Sequence, residues 1–477
     1  MNCRLHPQIK VVENDRGSFL LREIPLAILR VNGTLASLVK RLKENPEGAC
    51  SKAEEKSLEL LAARGFADRL PTPAAGDDAL PLVSIIIPVK DRARELTRCL
   101  ESLERLEYPR ELREIIVVDD GSSDASAAVA LGFGCRVVTT DAPGSGPAAA
   151  RNRGVDVARG EILAFIDSDC TASPGWLREL LAGFVDPTLA AVGGLVDGMR
   201  EAGALDRYEA VMSSLILGKR ALTGSSGNDT FYLPSCNLLV RARAFRALDG
   251  FSPEMHVGED VDLTWRLRDA GWRITYLPAG RIWHEHRSRF IPFLKRRFDY
   301  GTSEGSLNLL HPTRRKRMII PPAPALSLLL VMAALLGGGL RCLIGALILT
   351  VGDALLQQRR LARQGINIDR ITVLRARFRG TGSLAYYLGY HLLRYYAWLF
   401  ICLAAVLPEA GILLISVAFL TGSIDYWVKR PGMNFALFLG FYLPEQLAYG
   451  AGVFAGCLNR KHFGSYRFII GKSLAHI

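Results

Sequence analysis

The stretch "ILAFIDSD", residues 162–169, decides the fold class. Its first five residues are apolar, which predicts a short strand buried on both faces of a sheet. Two carboxylates, Asp167 and Asp169, follow at once. In a parallel sheet covered by helices, ligands bind beyond the carboxyl ends of the strands. The sequence therefore places two acidic side chains at an expected binding edge.

Similar apolar runs alternate with helical patterns on both sides of this stretch. The runs are "LVSIIIPV" (82–89), "REIIVVDD" (113–120), "CRVVTT" (135–140) and "EILAFIDSD" (161–169). Amphipathic helices are predicted at "ARELTRCLESLERL" (93–106) and "AAARNRGVDVARG" (148–160). The alternation predicts an α/β fold with a mainly parallel sheet over residues 82–311.

Candidate ligand-binding residues lie at the carboxyl ends of three of the predicted strands. They are Pro88 and Asp91, Asp119 and Asp120, and Asp167 and Asp169. A single aspartate at such a position is more often a helix cap or a turn residue. Three polar clusters at neighbouring strand ends indicate a shared ligand site, and we predict that these residues contact a nucleotide.

The pair Asp167 and Asp169 predicts a metal site. Alternation along an extended segment would put both carboxylates on one side, where they repel unless a cation lies between them. Mg²⁺ and Mn²⁺ prefer carboxylate and phosphate oxygens, so a cation here would hold a diphosphate and neutralise a phosphate leaving group. Asp120 is expected to meet the base or ribose. Asn152 and Arg153 are expected to contact the same nucleotide, although Arg153 is also compatible with a surface charge.

The stretch "GEDVDLTWRLRDAGW" (258–272) predicts a helix that begins with two acidic residues. Acidic side chains in a first turn commonly interact with the helix dipole. Beside a metal site, we predict instead that Asp260 is the general base that deprotonates an acceptor hydroxyl. The predicted acceptor and sugar pocket comprises Asn237, Glu259, Trp265 and Arg266.

Two histidines follow another short strand in "RIWHEHR" (281–287). One of them is expected to give the cation a nitrogen ligand. The sequence pattern leaves open whether this ligand is His284 or His286.

Residues 82–311 resemble the GT-A, family-2 glycosyltransferases. The resemblance rests on the ordered motifs "SIIIPVKDR", "VVDDGSSD", "AARNRG", "DSD", "NLLVRARAFRALDGF", "GEDVDLTWRLRDAGW" and "WHEHR". It implies a Rossmann-like GT-A fold and an inverting transfer from a nucleotide-diphosphate sugar. It also implies Asp120 at the nucleotide, Asp167 and Asp169 at the DXD metal site, Asp260 as base and His284 as a metal ligand.

The two ends of the chain resemble a narrower group. Residues 1–72, through "IPLAILRVNGTLASLV", resemble a winged-helix-like, PqqD-like domain. Such modules bind a peptide as an extra strand on a sheet edge, although the domain is equally compatible with packing alone. The tail "EQLAYGAGVFAGCLNRKHFGSYRF" resembles that of the mycofactocin-system glycosyltransferases. This resemblance implies UDP-glucose as donor and repeated β-linked glucose transfer to a peptide-derived acceptor, premycofactocin.

Charge and hydropathy indicate a membrane-associated protein. The net charge is +12, the pI is 9.3 and the mean hydropathy is +0.17. Such a charge suits nucleic acid or an anionic membrane face, and the arginine-rich stretch 357–379 beside apolar segments favours the membrane. Nine cysteines without a CxxC pair argue against a zinc module or a disulfide scaffold and fit a reducing cytoplasm.

Residues 319–477 are predicted to form an apolar, all-α, membrane-associated region. The apolar candidates are 324–356, 395–420 and 434–458. The first is one span or a tight pair broken near 337–339, and Arg341 argues against one uninterrupted span. The alternative is a helical region lying on the bilayer. The positive-inside rule places the catalytic part on the cytoplasmic side of the cell membrane.

Three other functions are compatible with parts of the sequence. A lipid-linked or cell-wall saccharide acceptor would suit the apolar helices. A non-catalytic scaffold would need none of the four aspartates at 120, 167, 169 and 260. A processive synthase usually carries Q-x-x-R-W, and "FLKRRFDYG" (293–301) lacks its Gln and Trp.

Overall fold

The computed structural model describes residues 3–46, 50–69, 80–200, 202–224 and 229–471. The chain forms two compact units. The first comprises residues 1–70, 316–425 and 467–477, and the second comprises residues 71–315 and 426–466. The stretch "RLPTPAAGDDALP" (69–81), whose Pro, Gly and Asp content predicts a linker, lies mostly outside the described residues. The predicted three-part division at 1–72, 82–311 and 319–477 stays a prediction.

The N-terminal segment of the first unit has five strands and two helices. They are β1 (Cys3–Leu5), β2 (Ile9–Asn14), β3 (Gly17–Glu23), β4 (Leu26–Val31), α1 (Gly33–Glu44), α2 (Lys52–Ala63) and β5 (Ala67–Arg69). β2, β3 and β4 form an antiparallel sheet, and β1 pairs with β5. β2 and β3 form a hairpin, with Asn14 opposite Gly17. Ser51 begins α2 through a capping box, which satisfies amide donors of the first turn.

The second unit is built around an eight-stranded sheet. Its strands, with those of a smaller sheet, are β6 (Val83–Val89), β7 (Arg113–Asp119), β8 (Arg136–Thr139), β9 (Ile162–Ile166), β10 (Cys170–Ala172), β11 (Leu189–Gly193), β12 (Val196–Gly198), β13 (Leu222–Gly224), β14 (Asn237–Arg241), β15 (Arg273–Tyr276) and β16 (Ile282–His284). The sheet order is β13-β15-β11-β14-β9-β6-β7-β8. Four of its seven pairings are parallel, which confirms the predicted mainly parallel sheet.

Helices cover both faces of this sheet. They are α3 (Ala93–Glu104), α4 (Ser126–Gly132), α5 (Pro147–Asp156), α6 (Trp176–Leu181), α8 (Ala242–Arg246) and α9 (Glu259–Asp269). The second unit also contains α7 (Ala204–Met212) and α10 (Phe290–Leu310). Along β6, Ile85 and Ile87 enter one hydrophobic core and Ile86 enters the other. Burying each such side chain contributes about 1.5–3 kcal/mol, so the continuous apolar run stabilises a strand covered on both sides.

A smaller sheet lies at the carboxyl end of β9. β16 pairs antiparallel with β10 and parallel with β12. This sheet brings the residues after β9 next to those at the end of β16, although about 115 residues separate them in sequence.

The C-terminal segment is mostly helical. Its elements are β17 (Arg317–Ile319), α11 (Pro322–Ala333), α12 (Gly339–Arg363), α13 (Arg370–His391), α14 (Ala397–Ala404), α15 (Pro408–Lys429), α16 (Phe435–Asn459) and β18 (Ile469–Gly471). β17 and β18 form a short parallel pair, a small exception to the expected all-α region. The first apolar candidate is interrupted at 337–339, where Gly337 and Gly339 have positive φ. This agrees with the prediction of a tight pair of helices broken there and not with one uninterrupted span.

Two helices among the described residues are long and apolar enough to cross a membrane. They are α12 and α15. The third apolar candidate, 434–458, behaves differently: α16 packs along α10 inside the second unit. Gly301 on α10 and Gly452 on α16 allow this approach, because a Cβ on Gly452 would lie 2.0 Å from the Phe298 carbonyl oxygen. The prediction of a span at 434–458 is not supported by this packing.

Candidate active site

The two carboxylates after β9 lie in a tight turn. β9 ends at Ile166, the Cys170 amide donates to the Asp167 carbonyl at 3.0 Å, and β10 begins at Cys170. The expected alternation of an extended segment is therefore wrong here, because the chain reverses between Asp167 and Asp169. Each carboxylate meets a different arginine: Asp167 lies 2.7 Å from Arg151 and Asp169 lies 2.6 Å from Arg92.

Sheet register brings His284 to Asp169. Cys170 stands opposite His284 in the β10–β16 pair, and the Glu285 amide donates to the Asp169 carbonyl at 2.9 Å. As a result, His284 Nε2 lies 3.6 Å from Asp169 Oδ1. Burial opposes ionisation of Asp169, but the neighbouring His284 and Arg92 lower the pKa of its carboxyl below the ordinary value. Asp169 is thus a carboxylate at neutral pH.

The donor set at this point suits a hard divalent cation. Ligand atoms of Asp169, Cys170 and His284 all lie within 4.8 Å of one another. Burial raises the pKa of the Cys170 thiol well above its ordinary value, so the thiol stays neutral and is a poor ligand. His284 Nδ1 is buried and has no hydrogen-bond partner among the described residues. Asp169 and His284 therefore fit a cation that takes one oxygen and one nitrogen from the protein.

His286 lies behind His284 and farther from the carboxylates of the turn. The two imidazole rings are 4.8 Å apart, and His286 Nδ1 lies 3.7 Å from Glu209 Oε2. Burial lowers the pKa of His286 to about 3, so its ring is neutral. The structure thus brings His284, and not His286, to Asp169. Its role as a metal ligand stays a prediction.

Arg151 is a central residue that the sequence interpretation overlooked. Its side chain is 2% exposed, its Nη2 lies 2.7 Å from Asp167 Oδ1, and its Nη1 lies 2.8 Å from Glu259 Oε1. One guanidinium thus joins the turn after β9 to the first residue of α9. The spacing of buried residues along α5 contains the signal, because Ala148, Arg151 and Val155 follow the three- and four-residue spacing of one helix face.

Asp260 is held at the start of α9 with a strongly perturbed acidity. Its Oδ1 accepts from the Val261 amide at 2.8 Å and its Oδ2 from the Ser235 amide at 3.1 Å. Burial, followed by the negative charge of Glu259, raises the pKa of the Asp260 carboxyl to about 7. A carboxyl of this acidity exchanges protons readily near neutral pH, as a general base requires.

The predicted nucleotide residues at the β6 and β7 ends hold loops together. Asp120, which is buried, accepts hydrogen bonds from Thr140 and from the Ser145 and Gly146 amides, at 2.8, 2.8 and 2.9 Å. Asp119 accepts from the Ser122 amide, and Asp91 accepts from Ser123. Pro88 pairs with Val118 across β6 and β7. These contacts fix the loops beyond the two strands, and the nucleotide contacts stay predictions.

The other predicted residues make contacts within the fold. The Asn152 side chain donates to the Phe251 carbonyl and accepts from the Phe251 amide. Arg153 donates to the Thr139 carbonyl. The buried Asn237 side chain bonds Trp176 and two carbonyls. Trp265 donates to the Phe231 carbonyl, and Arg266 bonds Asp262 and the Leu248 and Gly250 carbonyls. Of the predicted pocket, Glu259 is joined to Asp167 through Arg151, and Asn237 stands opposite Ile166, the residue before Asp167, in the β14–β9 pair.

Beyond the carboxyl edge of this mainly parallel, GT-A-like sheet, Arg151 joins Asp167 to Glu259, the neighbour of Asp260, and Asp169 lies beside His284. The family model described as "Glycosyl transferase family 2" matches residues 84–249. The chain is 32% identical over 468 residues to the "Pre-mycofactocin glycosyltransferase" of Mycobacterium tuberculosis, covering 94% of each protein. The chain therefore belongs to the family-2 glycosyltransferases.

Two further similarities cover less of the chain. The chain is 30% identical over 232 residues to "Glycosyltransferase AglE" of Haloferax volcanii, over 47% of this chain and 73% of that protein. Among solved structures, a mannosyltransferase from Pyrobaculum calidifontis in complex with GDP-Man and Mn²⁺ is 19% identical. The structural similarity covers 64% of this chain and 89% of the mannosyltransferase chain, with a TM-score of 0.40.

Proposed function

We propose that this glycosyltransferase moves a hexose, glucose from UDP-glucose, onto a peptide-derived small molecule, premycofactocin. The observation that carries the proposal is the end-to-end similarity to the M. tuberculosis protein with that acceptor in its name. We further propose that transfer is repeated, inverting and β-linked.

Asp260 is the proposed base of the transfer. Its carboxylate accepts the proton of the acceptor hydroxyl while that oxygen attacks the anomeric carbon of the sugar, and the nucleoside diphosphate leaves from the opposite face. A pKa near 7 lets Asp260 take this proton and release it to solvent. Arg151 holds Glu259, next to the base, at a fixed distance from Asp167.

The proposed cofactor is Mn²⁺ or Mg²⁺, held by Asp169 and His284 with Asp167 nearby. When bound, such a cation supplies positive charge that stabilises a diphosphate leaving group. Sheet register fixes the protein part of this site, because Glu285 and Asp169 share a backbone hydrogen bond.

Two further proposals concern the parts outside the sheet. The N-terminal segment, residues 1–72, is proposed as a PqqD-like module that binds the peptide-derived acceptor by strand addition. The apolar helices α12 and α15 are proposed to associate with the cell membrane, with the catalytic unit on the cytoplasmic face.

A lipid-linked or cell-wall saccharide acceptor is the second candidate function. The observation in its favour is the row of exposed apolar side chains on the helices of the first unit, such as Leu347, Ile348 and Ile415. An acceptor carried on a lipid would meet the enzyme at such a surface.

The decisive experiment supplies detergent-purified protein with premycofactocin, a panel of nucleotide sugars and Mn²⁺ or Mg²⁺. Released nucleoside diphosphate and the mass of the acceptor are measured, with and without EDTA. We expect +162 Da steps with UDP-glucose, loss in Asp169→Asn and full activity in the control Asp156→Asn, whose side chain is exposed. Transfer to a lipid-linked saccharide instead would establish the second candidate. Failure of the protein to bind any nucleoside diphosphate with metal would overturn both.

A further inference from the structure

Four ionisable side chains from distant parts of the sequence form a buried cluster in the second unit. They are Tyr208 and Glu209 on α7, Arg297 on α10 and Glu445 on α16. Each is buried, and Glu445 is only 4% exposed. Charged side chains are rarely buried to this degree without paired partners. We call these residues the α7–α10–α16 cluster.

Arg297 is the centre of this cluster. Its Nε lies 2.8 Å from Glu445 Oε1, and its Nη2 donates to Glu209. Tyr208 donates to the other oxygen of Glu445. The guanidinium is thus held between two carboxylates from different helices. One guanidinium charge thus faces two carboxylates inside the protein, and removing Arg297 would leave both of them uncompensated.

The cluster leads directly to the predicted metal ligand. Glu209 Oε2 lies 3.7 Å from His286 Nδ1, and the His286 ring lies 4.8 Å from that of His284. His284 Nε2 is in turn 3.6 Å from Asp169 Oδ1. Backbone pairing fixes the position of His284, but it leaves the rotation of the ring to its packing neighbours. His286 is such a packing neighbour of His284, and Glu209 of the cluster lies next to its ring.

Close packing of α16 against α10 makes this support rigid. A Cβ on Gly456 would lie 2.2 Å from the Thr302 carbonyl oxygen, and one on Gly301 would lie 2.2 Å from the Tyr449 carbonyl oxygen. The two backbones therefore touch, as in helix pairs that cross at small residues. Glu445 is presented to Arg297 by a helix that has little room to shift.

We propose that α16 is part of the metal site: Glu445, through Arg297 and Glu209, holds His286 against His284 and fixes the orientation of the metal-ligating imidazole. Glu445 and Glu209 are then positioning residues. The inference rests on the proposed cation site at Asp169 and His284. This role would explain why charged side chains, whose burial is unfavourable, lie between the smaller sheet and the apolar helix α16.

The test measures Mn²⁺ affinity of the full-length protein in detergent, with UDP present, from the EPR signal of free Mn²⁺. Residues behind metal ligands typically change metal affinity 10- to 100-fold, so we expect about 10-fold weaker binding in Glu445→Gln and in Glu209→Gln. Because Glu445 acts on His286 through Arg297 and Glu209, the double variant is expected to lose less than the product of the two single losses. UDP affinity in EDTA should not change.

The matched control is Glu304→Gln. Glu304 lies on α10 and accepts a hydrogen bond from Tyr449 of α16 at 2.6 Å, so this change perturbs the same helix pair away from His286. We expect wild-type Mn²⁺ affinity in this variant. The inference would be overturned if Glu445→Gln bound Mn²⁺ as tightly as wild type, or if Glu304→Gln lost as much Mn²⁺ affinity as Glu445→Gln. Either result would leave the proposed cation site standing. Wild-type binding no tighter than that of Asp169→Asn would overturn the proposed cation site and this inference with it.

Discussion

Arg92 and Asp169 form an ion pair in which Arg92 Nη1 donates to Asp169 Oδ2 at 2.6 Å. Arg92 immediately precedes α3, and Asp169 lies in the turn after β9. The arginine thus holds one oxygen of the carboxylate that we propose as a cation ligand. The other oxygen, Oδ1, faces His284. A metal cation bound there would compete with the guanidinium for the negative charge of the same carboxylate.

The first prediction follows from this competition. Replacing Arg92 by Met removes the guanidinium and should tighten Mn²⁺ binding to the protein without nucleotide by on the order of 10-fold, since a hydrogen bond to a charged group contributes about 1.5–3 kcal/mol. Isothermal titration of Mn²⁺ measures the change. Arg94→Met, on the exposed surface of α3, is the control and should bind as wild type does. Weaker binding in Arg92→Met would show that Arg92 supports the site rather than competing for it.

A second prediction concerns the pH dependence of catalysis. Asp260 must be ionised to accept a proton, so kcat/KM should rise with pH up to a plateau above about 7, the raised pKa of this carboxyl. Burial is the main cause of the raised pKa, and the charge of Glu259 is the second. Glu259→Gln removes that charge, so the rise in kcat/KM should move to lower pH.

The pH profile of nucleoside diphosphate release tests this prediction. The amides of Ser235 and Val261 lower the pKa of Asp260 in both proteins. The charge of Arg151 also lowers it, and this guanidinium loses its Glu259 partner in the variant. Glu254→Gln, an exposed residue before α9, should leave the profile unchanged. A rise that stays at the same pH in Glu259→Gln would remove Asp260 from the role of base.

The sequence predicted the sheet and the strand-end aspartates because continuous β-branched runs and polar strand ends are local signals. It missed Arg151 because three polar residues follow one another in α5, and only the helix phase shows which one is buried. It could not predict the contacts of Arg297 with Glu209 and Glu445, since these residues come from three helices distant in sequence. The turn at Asp167 was mistaken for extended backbone because strand ends carry little periodicity.

The third prediction tests the packing of α16. A Cβ on Gly452 would lie 2.0 Å from the Phe298 carbonyl oxygen, whereas one on Gly440 would meet nothing within 4 Å. Gly452→Ala should lower the free energy of unfolding by about 2 kcal/mol, as expected for overpacking, and should lower the midpoint of thermal unfolding in detergent. Gly440→Ala on the same helix should be neutral or slightly stabilising because alanine favours helix. Equal midpoints for both variants would show that α16 does not rest on α10.

The last prediction concerns the apolar surface of the first unit. Ile348 on α12 and Ile415 on α15 are 66% and 71% exposed, although both belong to helices that are long and apolar enough to cross a bilayer. Exposed isoleucines at such positions are favourable when acyl chains cover them, and an aspartate at the centre of a membrane helix costs about 3 kcal/mol. The double variant Ile348→Asp/Ile415→Asp should therefore leave the membrane pellet for the supernatant after cell lysis. Leu309→Asp, at an exposed position of α10 in the other unit, should stay in the pellet. If the double variant pellets as wild type does and remains folded, the charged side chains do not meet lipid, and the membrane must be contacted by another surface.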